Sequence, residues 1–115
     1  MDFKFSLEEK SNFTIVHLSG RLMDKQIAQP LIDQFDALLK KGMNKFIFDL
    51  NKLEYMNSSG LNIMVNFLTK SRNAGGDVAI AAVTDKISQL LVITKLNTLF
   101  HIHESVEEAE NKLSK

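Results

Sequence analysis

The chain has 115 residues, 44% of them hydrophobic and 24% charged, which suits one globular domain with its own core and excludes a disordered segment. Fourteen Lys and Arg balance fourteen Asp and Glu without a basic block, so direct nucleic-acid binding is not expected, and the absence of Cys removes disulfide and thiolate chemistry. No apolar run reaches the length of a membrane span and Met1-Asp2-Phe3-Lys4 is no signal peptide, so the expectation is a single domain, residues 1–115, in the cytoplasm.

Phe3, Phe5 and Leu7 alternate with Lys4 and Ser6, the period of a half-buried strand. After a polar turn from Glu8 to Asn12, the β-branched and aromatic run at residues 13–18 predicts its antiparallel partner, ended by Gly20. His17 shares a face with Phe13 and Ile15. With no second metal-binding group near it in sequence, it reads as a half-buried histidine with satisfied hydrogen bonds rather than a ligand. Arg21 to Gln29 looks irregular, and Pro30 suits a first helical position because its missing N–H would be unpaired there, so the first helix is predicted to begin close to it. Leu31, Phe35, Leu38 and Leu39 form its stripe, and Lys40-Lys41-Gly42 supplies cations and a left-handed end.

Residues 45–50 are a short apolar run that predicts a strand buried on both faces. From Gly60 to about Arg72, Leu61, Met64 and Leu68 with Val65 and Phe67 repeat at helical spacing. Between the two lies Met56-Asn57-Ser58-Ser59-Gly60-Leu61. The serines therefore fall at a helix N-terminus, where unpaired N–H groups and a partial positive charge suit a hydroxyl cap or a phosphate, and Ser58 fits either role. Asn73-Ala74-Gly75-Gly76-Asp77 then breaks the helix, and residues 78–83 form another apolar strand whose alanines permit close helix packing. Thr84-Asp85 caps a third helix with stripe Ile87, Leu90, Leu91 and Thr94, expected to stop near Leu96-Asn97. Phe100 and Ile102 mark a last short strand. Ser105-Val106-Glu107-Glu108 is a capping box opening a final helix with Val106, Ala109 and Leu113 inward. The order predicts an α/β domain: a single mixed, mostly parallel sheet of about five strands with an N-terminal β-hairpin and about four helices.

No catalytic constellation emerges, and neither an enzyme nor a cofactor is expected. His101, His103 and Glu104 suggest a metal site only in isolation, since further convergent ligands are missing, and a solvated edge strand explains them better. A nucleophile elbow at Ser58 lacks its glycine two residues earlier, where Met56 stands, and Gly75-Gly76 precedes a strand, unlike a phosphate loop. Asp49 invites comparison with a phosphoacceptor aspartate, but Ser19-Gly20-Arg21 offers no acidic pair beside it.

The ordered set Val16-His17-Leu18-Ser19-Gly20-Arg21-Leu22, Phe46-Ile47-Phe48-Asp49-Leu50, Leu53-Glu54-Tyr55-Met56-Asn57-Ser58-Ser59-Gly60-Leu61, Ala74-Gly75-Gly76, Leu96 to Phe100 and Glu107-Glu108-Ala109 resembles the STAS domain, in the stand-alone form of bacterial anti-sigma-factor antagonists. The resemblance implies a partner-switching protein. It binds an anti-sigma factor that is also an ATP-dependent serine kinase, is released when that kinase phosphorylates Ser58, and is restored by a PP2C-type phosphatase. The residues themselves are compatible with this: Asn62, Asn66, Thr69 and Lys70 on the polar arc of the helix that follows Ser58, with Ile63 at its edge, form a contact rim. The expected partner surface is therefore Asn57, Ser58, Ser59, Gly60, Asn62, Ile63 and Asn66. The chain departs from the family where Asn57 replaces the usual aspartate, and the loop after Gly20 places Met23 or Asp24 where one aspartate is common. Asn57 keeps open a different class of role, as a non-phosphorylated subunit or scaffold of a larger signalling or lipid-transport assembly.

Overall fold

The structure, a computed structural model, describes residues 2–113, with side chains as far as residue 112, so the expected inward placement of Leu113 falls outside that description. Its elements run β1 (Lys4–Glu9), β2 (Thr14–Leu22), α1 (Lys25–Lys40), β3 (Lys45–Met56), α2 (Ser58–Asn73), β4 (Asp77–Ala81), α3 (Asp85–Ile93), a 3-10 turn (Leu96–Thr98), β5 (His101–His103) and α4 (Val106–Leu113). The five strands form one sheet in chain order, β1-β2-β3-β4-β5. β1 pairs antiparallel with β2 and every later pair is parallel, the mixed sheet that the alternation of elements predicts.

Parallel neighbours need crossovers, and successive crossovers of one hand in one direction put their helices on one face. Accordingly, the inward stripes of α1, α2 and α3 share one core with Val16, Leu18, Phe46, Phe48, Leu50, Val78 and Ile80. Alternate residues of the same strands, Ile15, Ile47, Ala79 and Ala81, face α4, whose Ala109 is fully buried among them. The central cluster is aromatic. Phe35 of α1 stacks on Phe46 with centroids 4.2 Å apart and meets Phe67 of α2 at 4.4 Å, and each such buried ring contributes about 1.5–3 kcal/mol by leaving water.

Several boundaries differ from expectation for identifiable reasons. α1 begins at Lys25, because Asp24 is its N-cap: the carboxylate accepts from the Ile27 N–H at 2.8 Å. Pro30 consequently lies inside α1, where it costs a hydrogen bond to the preceding turn instead of starting the helix. The other end follows the prediction, with Gly42 at φ +94° and the Met43 N–H bonded back to the Leu38 carbonyl at 3.0 Å. β3 runs on to Met56, well past residue 50, pairing with β2 through two register shifts beyond the end of β4. β4 stops at Ala81 because Ala82 turns into the left-handed region, φ 59°. α3 ends at Ile93, with Thr94 exposed as its C-cap rather than part of its stripe.

Candidate functional site

The Ser58 end of the sheet is held by backbone packing. Gly60 has no room for a side chain, since a Cβ there would lie 2.2 Å from the Leu22 carbonyl oxygen and 2.8 Å from the Met56 Cβ. The Asn57 N–H also reaches the Leu22 carbonyl, at 3.4 Å, so the first turn of α2 rests on the last residue of β2. The helix includes both serines, and its N-cap is Asn57: the side-chain oxygen accepts from the Gly60 N–H at 3.0 Å, while the Leu61 N–H returns to the Asn57 carbonyl at 2.9 Å. Asparagine and aspartate cap about equally well, which explains why the departure from the family pattern leaves the local fold unchanged. Capping is therefore not the task of Ser58. It is the first helical residue, exposed like Ser59, and neither hydroxyl has a side-chain hydrogen bond among the described residues. With Gly60 and Leu61 satisfied, the amides of Ser58 and Ser59 are left at the positive end of the helix.

The remaining expected contact residues separate into two groups. Asn62 and Asn66 are exposed on α2, whereas Gly60 is buried and Ile63 is only 5% exposed. Ile63 lies not at the edge of the polar arc but, with Ile32 and Phe67, along a groove between α1 and α2 rimmed by Lys25, Asn66 and Lys70. One side of that groove is fastened by Lys70 Nζ and Asp36 Oδ1 at 3.0 Å.

Two clusters were hidden from the sequence. In the first, His17 donates or accepts through both ring nitrogens, with Nδ1 2.7 Å from Asp49 Oδ2 and Nε2 3.1 Å from Glu8 Oε1. Asp49 Oδ1 accepts from the Asn51 N–H at 3.1 Å, and Glu8 also meets Lys10 at 2.9 Å. Partial burial pulls the imidazole pKa down, but the bonds to Glu8 and Asp49 and their charges outweigh it, so the net direction is upward. The half-buried, satisfied histidine expected from the sequence is what the fold contains. In the second cluster, the Tyr55 ring has the Arg21 guanidinium 5.7 Å and the Lys86 ammonium 5.3 Å from its centroid, uniting β2, β3 and the first turn of α3. The histidines of β5 go to different carboxylates: His101 Nε2 is 2.9 Å from Asp77 Oδ2, and His103 Nδ1 is 3.5 Å from Glu108 Oε1. Among the described residues, no helix is long and apolar enough to cross a membrane.

A five-stranded mixed sheet with a serine pair opening the helix after its central strand is the arrangement that the sequence resemblance implied. The sequence profile of the STAS domain matches residues 4–109. The chain belongs to the STAS domain family. Over 75 residues this STAS protein is 32% identical to a candidate anti-sigma factor antagonist of Thermotoga maritima, a match covering 65% of this chain and 66% of the relative, so it spans just under two thirds of that protein's length. It is also 26% identical over 107 residues to the anti-sigma-B factor antagonist of Staphylococcus aureus, covering 93% and 98% of the two chains. A crystal structure of a candidate anti-sigma factor antagonist from Thermotoga maritima superposes with a TM-score of 0.87 at 25% identity, over 96% of this chain and 95% of that one.

Proposed function

We propose that this STAS protein is an anti-sigma-factor antagonist, a binding protein rather than an enzyme, that engages an anti-sigma factor with serine-kinase activity through its Ser58 end and is switched off when that kinase phosphorylates Ser58. One observation carries the reading: Ser58 is the exposed first residue of α2, and Asn57 has taken over the cap, so the Ser58 hydroxyl is available. The named relatives, an anti-sigma-B factor antagonist and a candidate anti-sigma factor antagonist, support the partner class.

The position of Ser58 supports a switch that acts on the interface. A phosphate carries about −2 charge, and the helix N-terminus favours an anion by roughly 0.3 to 2 kcal/mol, so modification leaves α2 folded. The effect then falls on the interface, where a cost of about 3 kcal/mol for burying or clashing with the phosphate lowers affinity more than a hundredfold.

The test is to incubate the protein with ATP and each purified ATP-binding anti-sigma kinase of the same organism. Phosphate is expected on Ser58, none on Ser58→Ala, with loss of kinase binding afterwards and recovery after treatment with a PP2C-type phosphatase. Phosphate mapping to Ser59 while Ser58 stays bare, or kinase binding unchanged by the modification, rejects the reading. A fall in helix signal on phosphorylation replaces the interface mechanism with local unfolding.

A further inference from the structure

We propose that Arg21, Tyr55 and Lys86 form a second anchor of the partner surface, one that receives carboxylates from an acidic patch of the anti-sigma kinase; this rests on the functional reading above. The cluster sits at the same end of the sheet as Ser58. Arg21 and Tyr55 are register partners on β2 and β3, Leu22 and Met56 are the next pair, and the Leu22 carbonyl is the atom that Gly60 packs against. Lys86 comes from the first turn of α3, capped by Thr84, which brings a third element to the same edge.

The charge arrangement identifies the occupant. Lys10, Lys70 and Arg72 each hold a carboxylate within 3.1 Å, while among the described residues Lys25, Lys41 and Lys95 hold none, so what sets Arg21 and Lys86 apart is the one aromatic ring they share. Arg21 and Lys86 are exposed, and among the described residues neither has a carboxylate within ion-pair distance; each lies beside the half-buried Tyr55 ring instead. Nearby acids are turned to other uses. Asp24 caps α1 through the Ile27 N–H. Glu54 precedes Tyr55 on a strand, so it points to the opposite face, where it lines a concavity with Lys4 and Lys52. Asp85 is adjacent to Lys86 on a helix, and neighbouring helical residues do not face one another. A cation resting on an aromatic face keeps its outer N–H groups, and a planar guanidinium held in place loses little freedom on meeting a carboxylate. Two such cations on one ring, facing outward beside the modified serine, complement an acidic surface.

Tyr55 supplies a direct readout, because it is the only tyrosine and the chain has no Trp. Protein labelled with 13C at tyrosine Cζ alone gives a single signal, to be followed while the organism's ATP-binding anti-sigma kinases are added one at a time. For the kinase that binds, the Tyr55 signal is expected to shift, association is expected to slow with added salt, and the double variant Arg21→Glu, Lys86→Glu is expected to bind at least about tenfold more weakly. The neutral pair Arg21→Gln, Lys86→Gln is expected to lose less affinity and guards against a reversed-charge variant that melts early. A kinase that binds wild type, neutral and reversed proteins alike, with the Tyr55 signal unmoved, overturns the proposal and leaves the functional reading standing. No binding of any such kinase to the wild-type protein overturns both.

Discussion

One polar cluster lies at Asp49 within β3 and another runs from Tyr55 at its end to Ser59 in the first turn of α2, and the fold treats them in opposite ways. At Asp49 the polar groups are matched inside the protein: both carboxylate oxygens, both ring nitrogens of His17 and the Glu8 carboxylate all have partners. At the other cluster only Asn57 is matched, as a cap, while the Ser58 and Ser59 side chains, Arg21 and Lys86 have no hydrogen bond or carboxylate among the described residues. Matched groups tie strands together, because a polar atom with an internal partner gains little from a second one. Unmatched groups on a rigid edge keep their bonding capacity for another molecule. The difference fits the first cluster to the scaffold and the second to the partner surface proposed above.

The largest effect expected is from Gly60→Ala. Its new methyl has to displace the Leu22 carbonyl, a backbone atom 2.2 Å away, and overpacking of this kind costs about 1–3 kcal/mol. Urea unfolding is expected to show a loss at or above the upper end of that range, together with slower kinase modification of Ser58, since the first turn of α2 must lift from β2. A stability equal to wild type breaks the claim that the Ser58 end is held by close backbone packing.

Asn57 sharpens the contrast further. Removing the cap with Asn57→Ala is expected to cost about 1 kcal/mol, whereas Asn57→Asp keeps an acceptor for the Gly60 N–H and is expected to match wild type within a few tenths of a kcal/mol. The pair is read by thermal and urea melts. An aspartate variant as unstable as the alanine variant rejects the capping role. If Asn57→Asp also leaves the rate of Ser58 modification unchanged, the asparagine does all that the family's aspartate does here.

The sequence made the Ser58 turn more legible than the scaffold cluster, and the reason is locality. An apolar strand, a serine pair and a helical stripe occur consecutively, so the position of Ser58 follows from periodicity alone. Asp49 was visible as a lone carboxylate in an apolar strand, which ought to demand a partner, but His17 is 32 residues away and only the β2–β3 register brings them together. The Arg21, Tyr55 and Lys86 cluster depends on that register and on the placement of α3 as well. At the start of α1 Pro30 pointed to the wrong residue, because the Asp24 carboxylate satisfies the Ile27 N–H, a donor the proline cannot bond. Ile63 was misplaced by a similar ambiguity: its position on the helical wheel borders the polar arc, and the approach of α1 decides that it is covered.

The smallest effect concerns the matched cluster and its dependence on pH. His17 has its pKa raised above the ordinary 6.5, so its protonated form is preferred in the folded protein, and the stabilisation is fully present below about pH 6.5 and lost as pH rises through the folded-state value. Glu8 is shifted the other way, lowered from 4.5 chiefly by its bond to Lys10 and then by His17, so its contribution is present above that value and lost in acid. Both contributions coexist between the two windows, where the hairpin is tied most firmly to β3 through Glu8, His17 and Asp49. The His17 side chain is 37% exposed, so solvent screening holds its share below about 1 kcal/mol. Stability of wild type is expected to fall slightly from pH 6 to pH 8.5, and the difference between wild type and His17→Gln is expected to shrink over the same range. The subtraction removes whatever other titrating groups contribute in common. Kinase affinity at the Ser58 end is expected to be the same for both proteins at a given pH, because the matched cluster serves the scaffold. A wild-type advantage over His17→Gln that grows with rising pH reverses the sign required by a protonated, doubly bonded histidine and rejects it.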